Sequence, residues 1–197
     1  MTLENFLKKL IINLIILSSL LSYGIFKSQI SQKYIEIKWK NGSKAAQKIM
    51  KSDFYYDVLD SWSPFGNDVG NDTYYLYCDW KLKHPTESIR KFIDHQLIDL
   101  GYPEFDISIT NNDVNQLNQT VNKMHNQYFD LNNIDNMIIS LAFTQLFIEG
   151  KIQSDVKKWA EAAFSREVLY LDFWEDDKER IERKERMNQL LTDLSKG

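Results

Sequence analysis

Cysteine is nearly missing from this chain. Cys78 stands alone, so neither an intrachain disulfide nor a thiolate metal cluster can form, and the residue reads as a small buried thiol on a helix. Proline and glycine are scarce too, three and seven in 197 residues, which argues against a turn-rich β-sandwich and for long helices. The three histidines, His84, His95 and His125, share no ligand or acid–base spacing. No phosphate-binding glycine loop, nucleophile elbow or paired-histidine protease motif occurs. A basic stripe is also lacking. Lys and Arg interleave with Asp and Glu at a formal charge of −4, and residues 25–197 alone carry 22 basic against 27 acidic side chains, or −5. A nucleic-acid surface needs concentrated cations that release counterions, so that class of partner is excluded.

Apolar and aromatic residues are plentiful, at 43% and 13%, enough to bury the core of one domain of roughly 100–200 residues. Lys8-Lys9 precede an apolar run from Leu10 to Leu21, and Ser22-Tyr23-Gly24 follow. Basic, then apolar, then small residues is the order of a secretory signal. An uncleaved anchor running through Phe26 is the alternative, and a buried core helix is the third reading. With Lys8 and Lys9 held inside, the body is expected outside the inner membrane, either periplasmic or anchored and facing outward. Any membrane contact is then made through the N-terminal segment alone.

The expected fold is mainly α: a signal or anchor over residues 1–24, then a single helical domain of five to seven helices over 25–197. At most one short strand is expected, near residues 34–40, where Tyr34-Ile35-Glu36-Ile37-Lys38-Trp39-Lys40 alternates with period two before Asn41-Gly42. Ser43 caps a helix through Met50 or Lys51. Asp72 is read as the cap of a helix over 73–83, and Pro85-Thr86 as the start of the next, which Gly101 stops. Asp113 caps a helix over 114–126. Residues 134–149 are almost continuously apolar and should be the central helix, paired across Gly150 with a helix that Ser154 caps. The charged segment 175–195 reads as a solvated helix with acid-first pairs Asp176–Arg180, Glu179–Arg183 and Glu182–Arg186, and with a narrow stripe of Met187, Leu190, Leu191 and Leu194 docked on the body.

Chemistry is concentrated in Ser63-Pro64-Phe65-Gly66-Asn67-Asp68-Val69-Gly70-Asn71-Asp72. Pro64, Gly66 and Gly70 read as a structural turn in which the glycines supply positive φ and the Asn and Asp side chains bond back to the backbone. The alternative reading is a ligand or cation loop. Asp60, Asn67, Asp68 and Asp72 would then converge oxygens on a hard ion such as calcium, although the spacing fits no EF-hand. No other cofactor is implied. Trp62 and Phe65, with Phe54, Tyr55 and Tyr56 before them, pack in the core or present an interaction surface.

Ala46, Met50, Phe54-Tyr55, Asp60, Ser63-Pro64-Phe65-Gly66-Asn67-Asp68, Gly70, Asp72-Thr73 and Trp80 resemble the shared block of YfeS-like bacterial proteins. Ala142-Phe143, Leu146 and Glu149-Gly150-Lys151-Ile152 are similar to their later helical hairpin. The resemblance spans roughly residues 43–164. It implies that the loop is a family-defining feature, and it brings no catalytic residue. By elimination, the expected function is that of a non-enzymatic exported or envelope protein acting through an unidentified protein partner, in an immunity-type or accessory role. The alternative is a hydrolase or cation-dependent enzyme that uses Asp60, Asp68 or Asp72 as ion ligand or base.

Overall fold

Residues 34–111, 113–171, 174 and 176–197 are described by the computed structural model. The signal or anchor expected at 1–24 lies outside them. Two compact units divide the chain, Met1–Glu36 and Ile37–Gly197. Seven α-helices are described, all in the second unit: α1 Lys44–Ile49, α2 Asp68–Lys83, α3 Ile89–Asp99, α4 Val114–Val121, α5 Tyr128–Glu149, α6 Ser154–Tyr170 and α7 Asp177–Lys196. Short 3₁₀ turns form at Trp39–Asn41 and Asp53–Tyr56. The fold is thus all-helical, and none of the described helices is long and apolar enough to cross a membrane.

Helix α5 is the centre because its sequence leaves it no polar face. Every residue from Met137 to Phe147 is buried, the pattern of a helix surrounded by others rather than lying on a surface. Helices α2, α6 and α1 pack around it, and α7 lies on α6. Each fully buried large aliphatic side chain contributes about 1.5–3 kcal/mol, so this helix anchors the domain. Gly150 ends it in the left-handed region at φ 77°, its N–H bonded to the Leu146 carbonyl. The chain turns back within four residues, and Gln145 Oε1 accepts the Gln153 N–H at 2.9 Å, satisfying the start of α6. Asp135 meets Arg166 farther along the pair, so α5 and α6 run antiparallel, as their short connection requires.

The start of the unit is tied to the same helix end. Ser43 Oγ accepts the Ala46 N–H at 3.0 Å, capping α1, and donates to the Leu146 carbonyl at 2.7 Å. The Ser43 N–H also donates to the Phe147 carbonyl at 2.7 Å. The strand expected at 34–40 does not form, and no strand occurs among the described residues. A lone strand has no partner for its backbone. Trp39 instead turns toward α1, and its indole N–H donates to the Gln47 carbonyl at 3.1 Å.

Other boundaries differ from expectation: α5 starts at Tyr128 rather than at 134, and Gln153 rather than Ser154 stands in the cap position of α6. Helix α3 begins at Ile89 with Ser88 as its cap, because Pro85–Glu87 form a turn rather than a first helical turn. It ends as expected at Gly101, φ 85°, where Tyr102 N–H reaches the Leu97 carbonyl and Gly101 N–H that of Ile98. Asp113 does cap α4, but the helix stops at Val121 instead of continuing to 126. Backbone carbonyls take the N–H groups of Asn122, Lys123 and Met124, and side chains the two that follow: the Tyr102 hydroxyl accepts the His125 N–H, and Asp130 accepts that of Asn126.

Candidate functional site

Residues 52–70 form a bend closed almost entirely by its own polar groups. Ser52 caps the Asp53–Tyr56 turn, which buries Phe54 and Tyr55. Asp57 Oδ1 accepts the Leu59 N–H at 2.9 Å, and Asp60 Oδ1 accepts that of Trp62 at 3.0 Å. These are side-chain-closed turns of the kind Asp favours. Ser63 is buried; its Oγ donates to the Tyr55 carbonyl and accepts the Phe65 N–H. Asn71 Nδ2 donates to the Phe65 carbonyl, and Asn67 Nδ2 to that of Ser61.

The segment read as a loop through Asp72 is helical from Asp68. Asn67, not Asp72, is the cap, and its Oδ1 accepts the Gly70 N–H at 2.7 Å. Glycine and asparagine are weak helix formers, yet here packing overrides propensity: Gly70 is buried and its carbonyl accepts from Ser140 Oγ of α5 at 2.7 Å. Neither turn glycine has positive φ. Both are needed for close approach instead, since a Cβ on Gly66 would lie 1.8 Å from the Asp60 carbonyl oxygen and one on Gly70 2.4 Å from that of Pro64.

The other site residues separate accordingly. Pro64 is buried. Phe65 is fully buried between Tyr74 and Phe147, ring centroids 5.8 and 6.0 Å away, so it offers no surface to a partner. Asp68 and Asp72 are exposed on the first turns of α2. Among the described residues no three or more His, Cys, Asp or Glu are placed to hold a metal ion, and Asp60, Asp68 and Asp72 therefore do not form the convergent site a calcium loop needs. Cys78 is buried and its thiol is pushed up to about 12 by burial, which removes the thiolate a nucleophile requires. His84 caps the end of α2 and stacks on Trp80 at 5.8 Å.

Asp60 and Trp62 do meet a second wall. With Leu59 and Ser61 they form one side of a cleft of about 720 Å³, and Glu182, Glu185, Arg186 and Gln189 of α7 form the other. Arg183, on the same helix, holds the two sides together. Its Nη1 donates to the Trp62 carbonyl at 3.1 Å while its Nε donates to Glu167 of α6, and both Arg183 and Glu167 are buried. Burying such a pair is favourable only when its remaining hydrogen bonds are met, and the Trp62 carbonyl meets one of them. Arg186 lies over the Phe54 ring at 4.4 Å, a cation–π contact that anchors the cleft's only cation. Leu59 is left 90% exposed at the rim.

A second irregular segment, between α3 and α4, is held differently. Arg166 is fully buried, bonded through Nε to both Asp135 oxygens at 3.1 and 3.2 Å, and through Nη1 to the carbonyls of Ile107 and Ile109. Burial pushes the Asp135 carboxyl up to about 6, against the pull of Arg166.

The α7 wall was not among the residues singled out from sequence, where that helix reads as solvated. Its acid-first pairs are largely replaced: Arg183 goes to Glu167, Arg186 to Phe54, and Arg180 to Asp177. The missed signal is spacing. Arg183 precedes Met187, Leu190 and Leu194 by helical steps, and all four are buried on one face.

No family model, curated protein or solved structure matches the chain. The resemblance to YfeS-like proteins accordingly rests on the sequence motifs alone.

Proposed function

We propose that this is a non-enzymatic exported or envelope protein that acts by binding another protein, in an immunity-type or accessory role, at the cleft between residues 59–62 and α7. The observation that carries the reading is the exposure of Leu59, 90%, at the edge of a concave surface that half-buried Trp62 also lines. An apolar side chain projected from a rigid turn, beside an aromatic one and ringed by polar groups, has the composition of an interface centre and rim. The turn keeps its shape without a ligand, because its Asp and Asn oxygens already accept backbone N–H groups. The hydrolase alternative uses Asp60, Asp68 or Asp72 as ion ligand or base, and of these only Asp60 lines the cleft. Export rests on the Lys8-Lys9 and Leu10–Leu21 pattern.

The test is affinity capture from an envelope fraction with the full chain and with Leu59→Arg, a change at an exposed position. A stoichiometric partner held by the wild type and lost by the variant is the expected result. A partner retained equally by both would remove the cleft from the binding role, and no partner at all would overturn the reading.

A further inference from the structure

We infer that the cleft selects a basic segment of its partner: one Lys or Arg side chain placed between Asp60 on one wall and Glu182 and Glu185 on the other, with a neighbouring apolar residue against Leu59 and Trp62. The inference rests on the binding role proposed above and names the chemistry that role selects. Three carboxylates line the cleft against a single cation, Arg186. That cation is already engaged, over the Phe54 ring at 4.4 Å and with its Nη1 donating to Gln189 Oε1 at 3.4 Å. Asp60 uses Oδ1 on the Trp62 N–H, while Glu182 has only a long, exposed contact to Lys178 at 3.9 Å, the kind of pair that contributes little. An incoming guanidinium or ammonium therefore meets acids without displacing a strong internal partner.

Acids on a helix face are by themselves an ordinary solvated surface. Here they enclose a concave space, and the apolar groups beside them decide what enters it. Leu59 is the most exposed of the large apolar side chains among the described residues, and Trp62 lines the same wall. Neither offers a ligand atom to a bare ion, whereas both suit a cation carried on a polypeptide with an apolar neighbour. The turn that presents them is fixed to α7 through Arg183 and the Trp62 carbonyl, so both walls are in place before a partner arrives. A pre-formed surface of one sign steers and orients an oppositely charged segment, and added salt weakens it.

The probe is a blocked peptide of alternating arginine and leucine, titrated calorimetrically into the full chain beside an equally long peptide of alternating glutamate and leucine. The arginine peptide should bind at least about tenfold more tightly, and Glu182→Gln with Glu185→Gln should remove about tenfold of that affinity. Both positions are exposed, so folding is not at issue. Equal affinity for the two peptides, or an unchanged affinity in the double variant, overturns the basic assignment. If a partner is captured by the wild type and lost by Leu59→Arg while the peptides bind equally, the cleft keeps its role and only its charge preference falls.

Discussion

The bend at residues 52–70 and the connector at 102–111 are both irregular, and both lie on the same helical core, yet they are secured by different physics. The bend is held mainly by contacts of short sequence range: Asn67 to Gly70, Asp60 to Trp62, Ser63 to Phe65, and two glycines that admit carbonyl oxygens. The connector closes one such turn of its own, with Asp106 Oδ1 accepting the Ser108 N–H, but its middle is tied to α6 by one guanidinium, which reaches the carbonyls of Ile107 and Ile109 and is itself balanced by Asp135. A locally closed turn draws its shape from groups only a few residues apart. A turn pinned by a buried ion pair shares the fate of that pair.

The most damaging way to break the contrast is Arg166→Met. It leaves Asp135 buried without its cation and two carbonyls without their donor, at an expected cost of about 3–5 kcal/mol. Hydrogen exchange should show the connector amides losing protection while those of the bend keep theirs; equal loss in both would erase the distinction. Gly66→Ala is the counterpart in the bend. The added methyl meets the Asp60 carbonyl, and because backbone must shift, about 3 kcal/mol is expected, read as a lowered denaturation midpoint in urea. An unchanged midpoint would show that the close approach is dispensable.

The smallest effect sharpens the comparison through pH. The Asp135 carboxyl is raised from 3.8 to about 6 in the folded chain, so between those values the native state binds more protons than the unfolded one. The stability this group contributes is fully present below the unfolded value and is lost as pH rises through about 6. The stability of the wild type relative to Asp135→Asn, read from thermal unfolding, should therefore fall between pH 4 and 6, by on the order of 2 kcal/mol, and then level off. A difference that is flat or that rises over this range would contradict the burial-driven shift.

Much of this architecture was legible because it is written in periodicity. The apolar run at 134–149, the left-handed Gly101 and Gly150, and the caps at Ser43 and Asp113 each depend on neighbours a few residues away. The bend was legible as a rigid unit but not in its detail. The letter Gly does not say whether positive φ or close approach requires it, and the carbonyls of Asp60 and Pro64 reach Gly66 and Gly70 only once the chain is folded. Likewise Asn67 and Asp72 are both good caps, and it is Ser140 on α5, far away in sequence, that draws Gly70 into the helix. The Arg183–Glu167 pair behind the cleft was hidden because Arg and Glu most often face solvent. On α6 Glu167 continues the buried series Val156, Ala160 and Ala163, as Arg183 continues that of α7. A charged residue in phase with an apolar stripe is a sign of a partner inside the fold.

Ser43 joins two helix ends with one side chain, since it caps α1 and binds the last turn of α5. In mechanical terms it is a rivet. Tension arriving along residues 39–42 is passed into the end of the longest helix of the domain at Ser43, before the chain enters α1, so the core's own backbone carries the load.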